Sequence, residues 1–317
     1  MRAEEQFTAN RPDAALSELN RGLAIYPGNS ELRALRAMIL ANQNRDVEAL
    51  AEMDKAVKHN PADSGAKIMK GLLNVFSALR QPSGEKKLQA IDDLADTADD
   101  LAKTADDHAM TDGDVERFRV GLLILRAVAL AQDEKFAEAA EQCTQYIDLC
   151  TKDKELGDGV AAAYLLRASF YRGAGQYARA IDDYTAIIQR SPDNCMAYSQ
   201  KSWLLATCKD DRVRDGRLAV DLAMRACELS HGRWSEEDTL AAAYAELGDF
   251  KQAVEHQRKA LDEFDAPAAP KKVDKKPKSF SITFGGSSPS KSPSQGERRA
   301  KVVARLESYK QGQPLRE

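Results

Sequence analysis

Residues 164–192 read YLLRASFYRGAGQYARAIDDYTAIIQRSP, and the spacing of a few residues within them decides the fold. Large side chains stand at Tyr164, Tyr171, Tyr177, Tyr184 and Ile187, small ones at Ala168 and Ala180. Gly175 lies midway and Pro192 closes the stretch. Apolar residues recurring every three or four positions on each side of the glycine mark two amphipathic helices joined by a tight turn. The small residues let those helices approach closely, as ridges pack into grooves, and the large ones fill the space beside them. The proline stops the second helix. This pattern recurs along the chain. Ala15, Leu19, Gly22 and Pro27 return as Ala49, Met53, Ala56 and Pro61, each displaced by 34 residues. Ala219, Ala223 and Ala226 return in the same way as Ala253, Gln257 and Ala260.

A period of 34 with small residues at the eighth and twentieth positions resembles the tetratricopeptide repeat (TPR) family, and the resemblance extends to about residue 264. It implies an all-α fold, a right-handed α-solenoid of about seven helix pairs, because no single pair can bury its apolar face alone. The pairs fall at 1–28, 29–62, 63–112, 114–151, about 160–192, 194–230 and up to 264. The third is divergent. Its first helix keeps Gly71 at the eighth position, but its second is long, with Leu88, Ile91, Leu94, Ala98 and Leu101 on one stripe and acidic residues opposite. The sixth carries an insertion, Lys209 to Gly216. The expected organisation is therefore N-terminal repeats over 1–112, C-terminal repeats over 113–264, a linker over 265–296, and a final helix and tail over 297–317.

Aligned on Ala15 and Pro27, Met1 falls at the sixth position of the first pair, so the opening turns of that helix are expected to be missing. Residues 265–296 hold five of the eleven prolines, seven serines and six lysines, a composition expected to be disordered. Within them Phe280, Ile282 and Phe284 alternate with polar residues. They read either as an internal peptide that docks on the array or as an exposed apolar patch. Three further stretches resemble the C-terminal module of a group of bacterial TPR proteins: WLLATCKDDRVRDG (203–216), DTLAAAYAE (238–246) and RLESYK (305–310). In that group the last helix follows the repeats almost directly. Here residues 265–296 intervene, which leaves its docking open.

Composition limits the function classes. Hydrophobic residues make up 43% and charged residues 30% of 317, with mean hydropathy -0.52, so the chain reads as soluble and helix-forming. No apolar run approaches the roughly 20 residues of a membrane span. The net charge of -4 divides into +4 over residues 265–296 and -8 elsewhere, an acidic body that argues against nucleic acid as the main partner. Five cysteines without a CxxC pair read as small core residues of a reducing, cytoplasmic compartment. The four histidines are scattered, no nucleophile elbow or phosphate loop is present, and the acidic pairs near residue 99 lack a calcium loop. Neither a cofactor, a metal nor an enzyme activity is expected.

The family resemblance places the first helix of each pair on the concave side. Its second, fifth, ninth, twelfth and thirteenth positions then point into the groove. They map to Ile124, Val128, Leu165, Ser169, Arg172, Ser199, Trp203 and Asp238, with Ala242 beside them. Trp and Arg are the residues most often dominant at interfaces. The same apolar residues could instead pack beneath a neighbouring helix, with Trp203 plugging the groove. The Lys/Asn clamp of chaperone-binding relatives is absent, since Leu165, Ser169, Ser199 and Trp203 occupy its positions. The expected role is a non-catalytic scaffold or adaptor that binds a peptide or helical segment of another protein. The alternative is a regulatory or assembly subunit of a larger enzyme or cell-envelope complex.

Overall fold

The computed structural model describes residues 11–82, 84–103, 112–152, 159–266 and 294–317. The opening residues 1–10 and the segment carrying Phe280, Ile282 and Phe284 lie outside the described residues. Among those described, the chain forms fourteen α-helices and no strand. It divides into two units, Met1–Lys135 and Phe136–Glu317. The N-terminal unit contains α1 (Pro12–Ile25), α2 (Ser30–Asn42), α3 (Asp46–His59), α4 (Ser64–Leu79), α5 (Gly84–Ala102) and α6 (Asp112–Gln132). The C-terminal unit contains α7 (Phe136–Lys152), α8 (Val160–Gly173), α9 (Tyr177–Arg190), α10 (Cys195–Thr207), α11 (Gly216–Ser230), α12 (Trp234–Leu247), α13 (Phe250–Asp265) and α14 (Gln295–Lys310). The division falls between α6 and α7.

Local chemistry starts the first helix of several pairs. Asn29, Asp63 and Asn194 each accept a hydrogen bond at the side-chain oxygen from the backbone N–H three residues on, at 2.8, 2.8 and 3.0 Å. That satisfies one of the free donors of a helix N-terminus. The small residues then set the packing. Ala37, Ala168, Ser202 and Ala241 on first helices, and Ala49, Ala180, Ala219 and Ala253 on second helices, are fully buried. At Gly71 the approach is closer still: a Cβ there would lie 2.5 Å from Leu94 Cδ1, so the divergent pair keeps glycine where the others keep alanine. The long α5 buries Ile91, Leu94, Ala98 and Leu101, the expected stripe. Its acidic side is partly engaged: Asp92 and Asp99 pair with Arg126 and Arg119 of α6 at 2.9 and 2.5 Å.

Four of the turns between paired helices contain a left-handed residue. Gly175 and Gly248 supply it at φ +70° and +89°, whereas Asn44 and Glu134 hold the equivalent position at φ 60°. An added Cβ at Gly175 would meet nothing within 4 Å, so its cost is conformational. Gly175→Ala should therefore lower stability by about 1 kcal/mol, measured by urea denaturation, with no change in helical content.

Each unit also contains a buried charge pair. In the N-terminal unit Arg33 pairs with Glu52 at 2.8 Å and donates to the Pro27 carbonyl, fastening the end of one pair to the next. In the C-terminal unit Arg167 donates to both carboxylate oxygens of Asp183, at 3.0 and 2.6 Å, and to Thr144 Oγ1 at 3.0 Å. Its guanidinium sits beside the Tyr164 and Tyr171 rings, 5.1 and 5.6 Å from their centroids. No described helix is long and apolar enough to cross a membrane.

Candidate functional site

The first helices of the last pairs, α8, α10 and α12, are linked in series along one face, and α14 packs on α13 and reaches α12. Ser199 on α10 and Thr239 on α12 join across the face through their hydroxyls at 3.2 Å. Ser202, one turn along, donates to the Ala219 carbonyl at 2.7 Å and ties α10 to its own partner helix. Arg172 reaches from α8 to Gln200 Oε1 of α10 at 3.1 Å. Ser199, Trp203, Arg172 and Asp238 are thus brought onto neighbouring helices of this face. Leu165 packs into the cluster around Tyr184 and Ala168, and Ser169 is exposed with its hydroxyl donating to Leu166 O. Ile124 and Val128 are half-buried on α6, in the N-terminal unit.

Asp238 is the centre of the arrangement. It is 5% exposed, and one carboxylate oxygen accepts from Gln257 Nε2 of α13 at 2.8 Å. The same Gln257 amide donates to the Val302 carbonyl of α14 at 3.1 Å. The second carboxylate oxygen of Asp238 accepts from Arg305 of α14. Burial pushes the Asp238 carboxyl above the ordinary aspartate range, while Arg305 and Gln257 pull it back. The guanidinium of Arg305 lies over the Trp203 ring, 4.7 Å from its centroid, and 3.4 Å from Glu317. Glu317 accepts from Trp203 Nε1 at 3.1 Å and its backbone N–H donates to Thr207 O at 2.8 Å. Aspartate, arginine and tryptophan therefore form one stack from core to surface.

The final helix is docked, which the sequence had left open. Tyr309 packs with Ala241, Ala245 and Ala253, joined by Leu315 of the tail, and burial raises the Tyr309 phenol well above its usual range. Glu246, at the end of α12, holds both Arg214 of the 209–216 insertion at 3.0 Å and Arg316 of the tail at 2.7 Å. The inserted loop thus helps to place the tail. Gln257 was the residue that sequence reasoning passed over. It replaces the alanine expected from the 34-residue offset with a fully buried amide, and a polar group at a periodic core position is the signal that would have found it.

Beside α14 an open cleft of about 380 Å³ remains, lined by Met196, Gln200 and Trp203 of α10, Trp234 of α12, and Arg298 and Lys301 of α14. Met196 is 57% exposed, and Trp234 is braced edge-on by Phe264 at 5.0 Å. An apolar floor with cationic and amide groups at its rim suits a polypeptide segment, whose backbone and side chains need both.

Family models described as tetratricopeptide repeat match residues 6–73, and again residues 161–194 and 239–263. Among solved structures, the C-terminal part of a TPR repeat-containing protein from Cytophaga hutchinsonii is similar, with a TM-score of 0.55 at 14% identity. That similarity covers 82% of this chain and 93% of the other. BtubC (BKLC) from P. vanneervenii gives a TM-score of 0.53 at 16% identity, covering 75% of this chain and 97% of that one. At these identities the likeness speaks for the fold alone. No curated protein matches the sequence significantly. With the repeat offset, the paired helices and the family matches in agreement, the chain carries tetratricopeptide repeats folded as an α-solenoid, a fold that supports protein–protein interaction in general.

Proposed function

We propose that the chain is a non-catalytic adaptor that recognises a peptide or helical segment of another protein on the α8–α10–α12 face of its C-terminal unit. The observation that carries this reading is the chemistry of that face. Arg172, Gln200 and Trp203 stand part-exposed there with Met196 exposed beside them, while Ser199 and Asp238 are buried beneath. Arginine, amide and indole groups on an accessible helix face support recognition of a protein segment.

Affinity purification of the wild type beside Arg172→Ala and Met196→Ala, with quantitative mass spectrometry, tests the reading. Arg225→Ala on the second-helix side serves as the control. Partners lost from both face variants but kept by the control are expected. An identical set of partners in all four samples would remove this face from consideration.

A further inference from the structure

The contact of α14 and its tail with the array combines arginine–carboxylate pairs with one buried apolar stripe. Arg299 pairs with Asp265 at 2.7 Å, Arg305 with Asp238, and Arg316 with Glu246. Residues 294–317 carry six cations (Arg298, Arg299, Lys301, Arg305, Lys310, Arg316) against three anions (Glu297, Glu307, Glu317), so the segment is net +3 on an acidic body. The buried residues of α14 form one narrow stripe, Val302, Leu306 and Tyr309, spaced as one face of an amphipathic helix.

Two further features separate α14 from the repeats. It has its own start signal: Ser294 Oγ accepts from Glu297 N–H at 3.2 Å and the Glu297 carboxylate accepts from Ser294 N–H at 2.6 Å. Residues 267–293 stand in the sequence between it and the end of α13. Among the described residues, Gln257 Oε1 of α13 and Tyr309 Oη of α14 have no hydrogen-bond partner at this contact.

We propose that the surface formed by Trp203, Asp238, Glu246, Gln257 and Asp265 is a binding site for a basic amphipathic helix, and that α14 with its tail is the resident occupant in cis. An external helix enters by replacing it. The required pattern is read from the resident: apolar residues at the places of Val302, Leu306 and Tyr309, with an arginine at the place of Arg305 to pair with Asp238 and stack on Trp203. The inference rests on the reading that this face binds protein segments, and adds the class of segment and the competitor built into the chain.

The probe is a fluorescein-labelled peptide of residues 294–317, titrated against the full chain by fluorescence anisotropy. In one variant a protease site replaces residues inside 285–290, so that α14 can be severed from the array while every contact residue stays native. In a second, Leu306→Asp weakens the resident without touching the receiving face, and circular dichroism verifies its fold. The labelled peptide should bind the cleaved chain and the Leu306→Asp chain at least tenfold more tightly than the intact wild type. A polyalanine-based helix keeping only the Val302, Arg305, Leu306 and Tyr309 side chains should compete it off, and the same helix with glutamate in place of the arginine should fail to.

If the severed segment stays bound through dilution and the labelled peptide never exchanges in, α14 is an integral end cap and the proposal falls. Equal binding to intact and released chains would also overturn it. Loss of cellular partners in Arg172→Ala with no peptide exchange would leave the adaptor reading standing and remove only this inference.

Discussion

Arg305→Leu is expected to free α14 from the array. The substitution leaves Asp238 buried opposite an apolar side chain, and breaking such a pair from one side costs about 3–5 kcal/mol. Arg305 is 15% and Asp238 7% exposed at the side chain, so solvent screens the pair little. The protein can avoid most of that cost by letting water reach Asp238, which means releasing the helix that covers it. The loss should therefore be local. Backbone amides of residues 297–310 should lose hydrogen-exchange protection, while those of α10 and α12 keep theirs. Trp203 loses the cation above its ring and the partner of its indole N–H, so its fluorescence should shift to the red as it becomes wetter. Protection retained across α14 would show that its apolar stripe suffices to hold it.

Arg167→Ala should have the largest effect on the stability of the C-terminal unit. Arg167 bonds Asp183 in two places, contacts two tyrosine rings and reaches back to Thr144 of α7. Asp183 is 3% exposed, and no terminal helix covers it that could simply leave. Removing the arginine strands a carboxylate, at about 3–5 kcal/mol by chemical denaturation. The pH dependence gives the cause. Burial already raises the Asp183 carboxyl above its ordinary value, with Arg167 opposing. A carboxyl raised in the folded state binds protons more readily there than in the unfolded chain. Its contribution to stability is therefore greatest in acid and falls as pH rises through the folded value. Without Arg167 that value moves higher still. The deficit of Arg167→Ala should thus be largest near neutrality and shrink on mild acidification, at a higher pH than for a surface pair whose carboxyl titrates in the ordinary range. A deficit independent of pH would assign the cost to lost packing against Tyr164 and Tyr171 instead.

Much of the fold was legible because repeat packing is a matter of side-chain size at fixed intervals. Ala168, Ala180, Ala219 and Ala253 are small for a geometric reason, and geometry repeats every 34 residues. The glycine turn, the long α5 stripe and the 209–216 insertion could be read for the same reason. The candidate face was legible only as a list of positions. Trp203 and Asp238 suit a groove that awaits a partner equally well as one filled by the chain itself, since both occupants ask for an indole and a carboxylate. Arg167 and Asp183 form a buried pair sixteen residues apart, but a sequence rich in arginine and aspartate offers many such pairs.

By itself, the sequence determined the all-α repeat, its period, the residues that let helices touch and the lack of a recognisable catalytic motif, all of which depend on local spacing. Tertiary structure decided what α14 does. Residues 267–293 interrupt the period before it, so no offset could predict its place. The buried amide of Gln257, the charge of Asp238 and the stack of Arg305 on Trp203 acquire meaning only when helices distant in the chain are brought within a few ångströms. Helix spacing is written in neighbouring residues, whereas burial of a charge beside its partner is a property of the assembled surface.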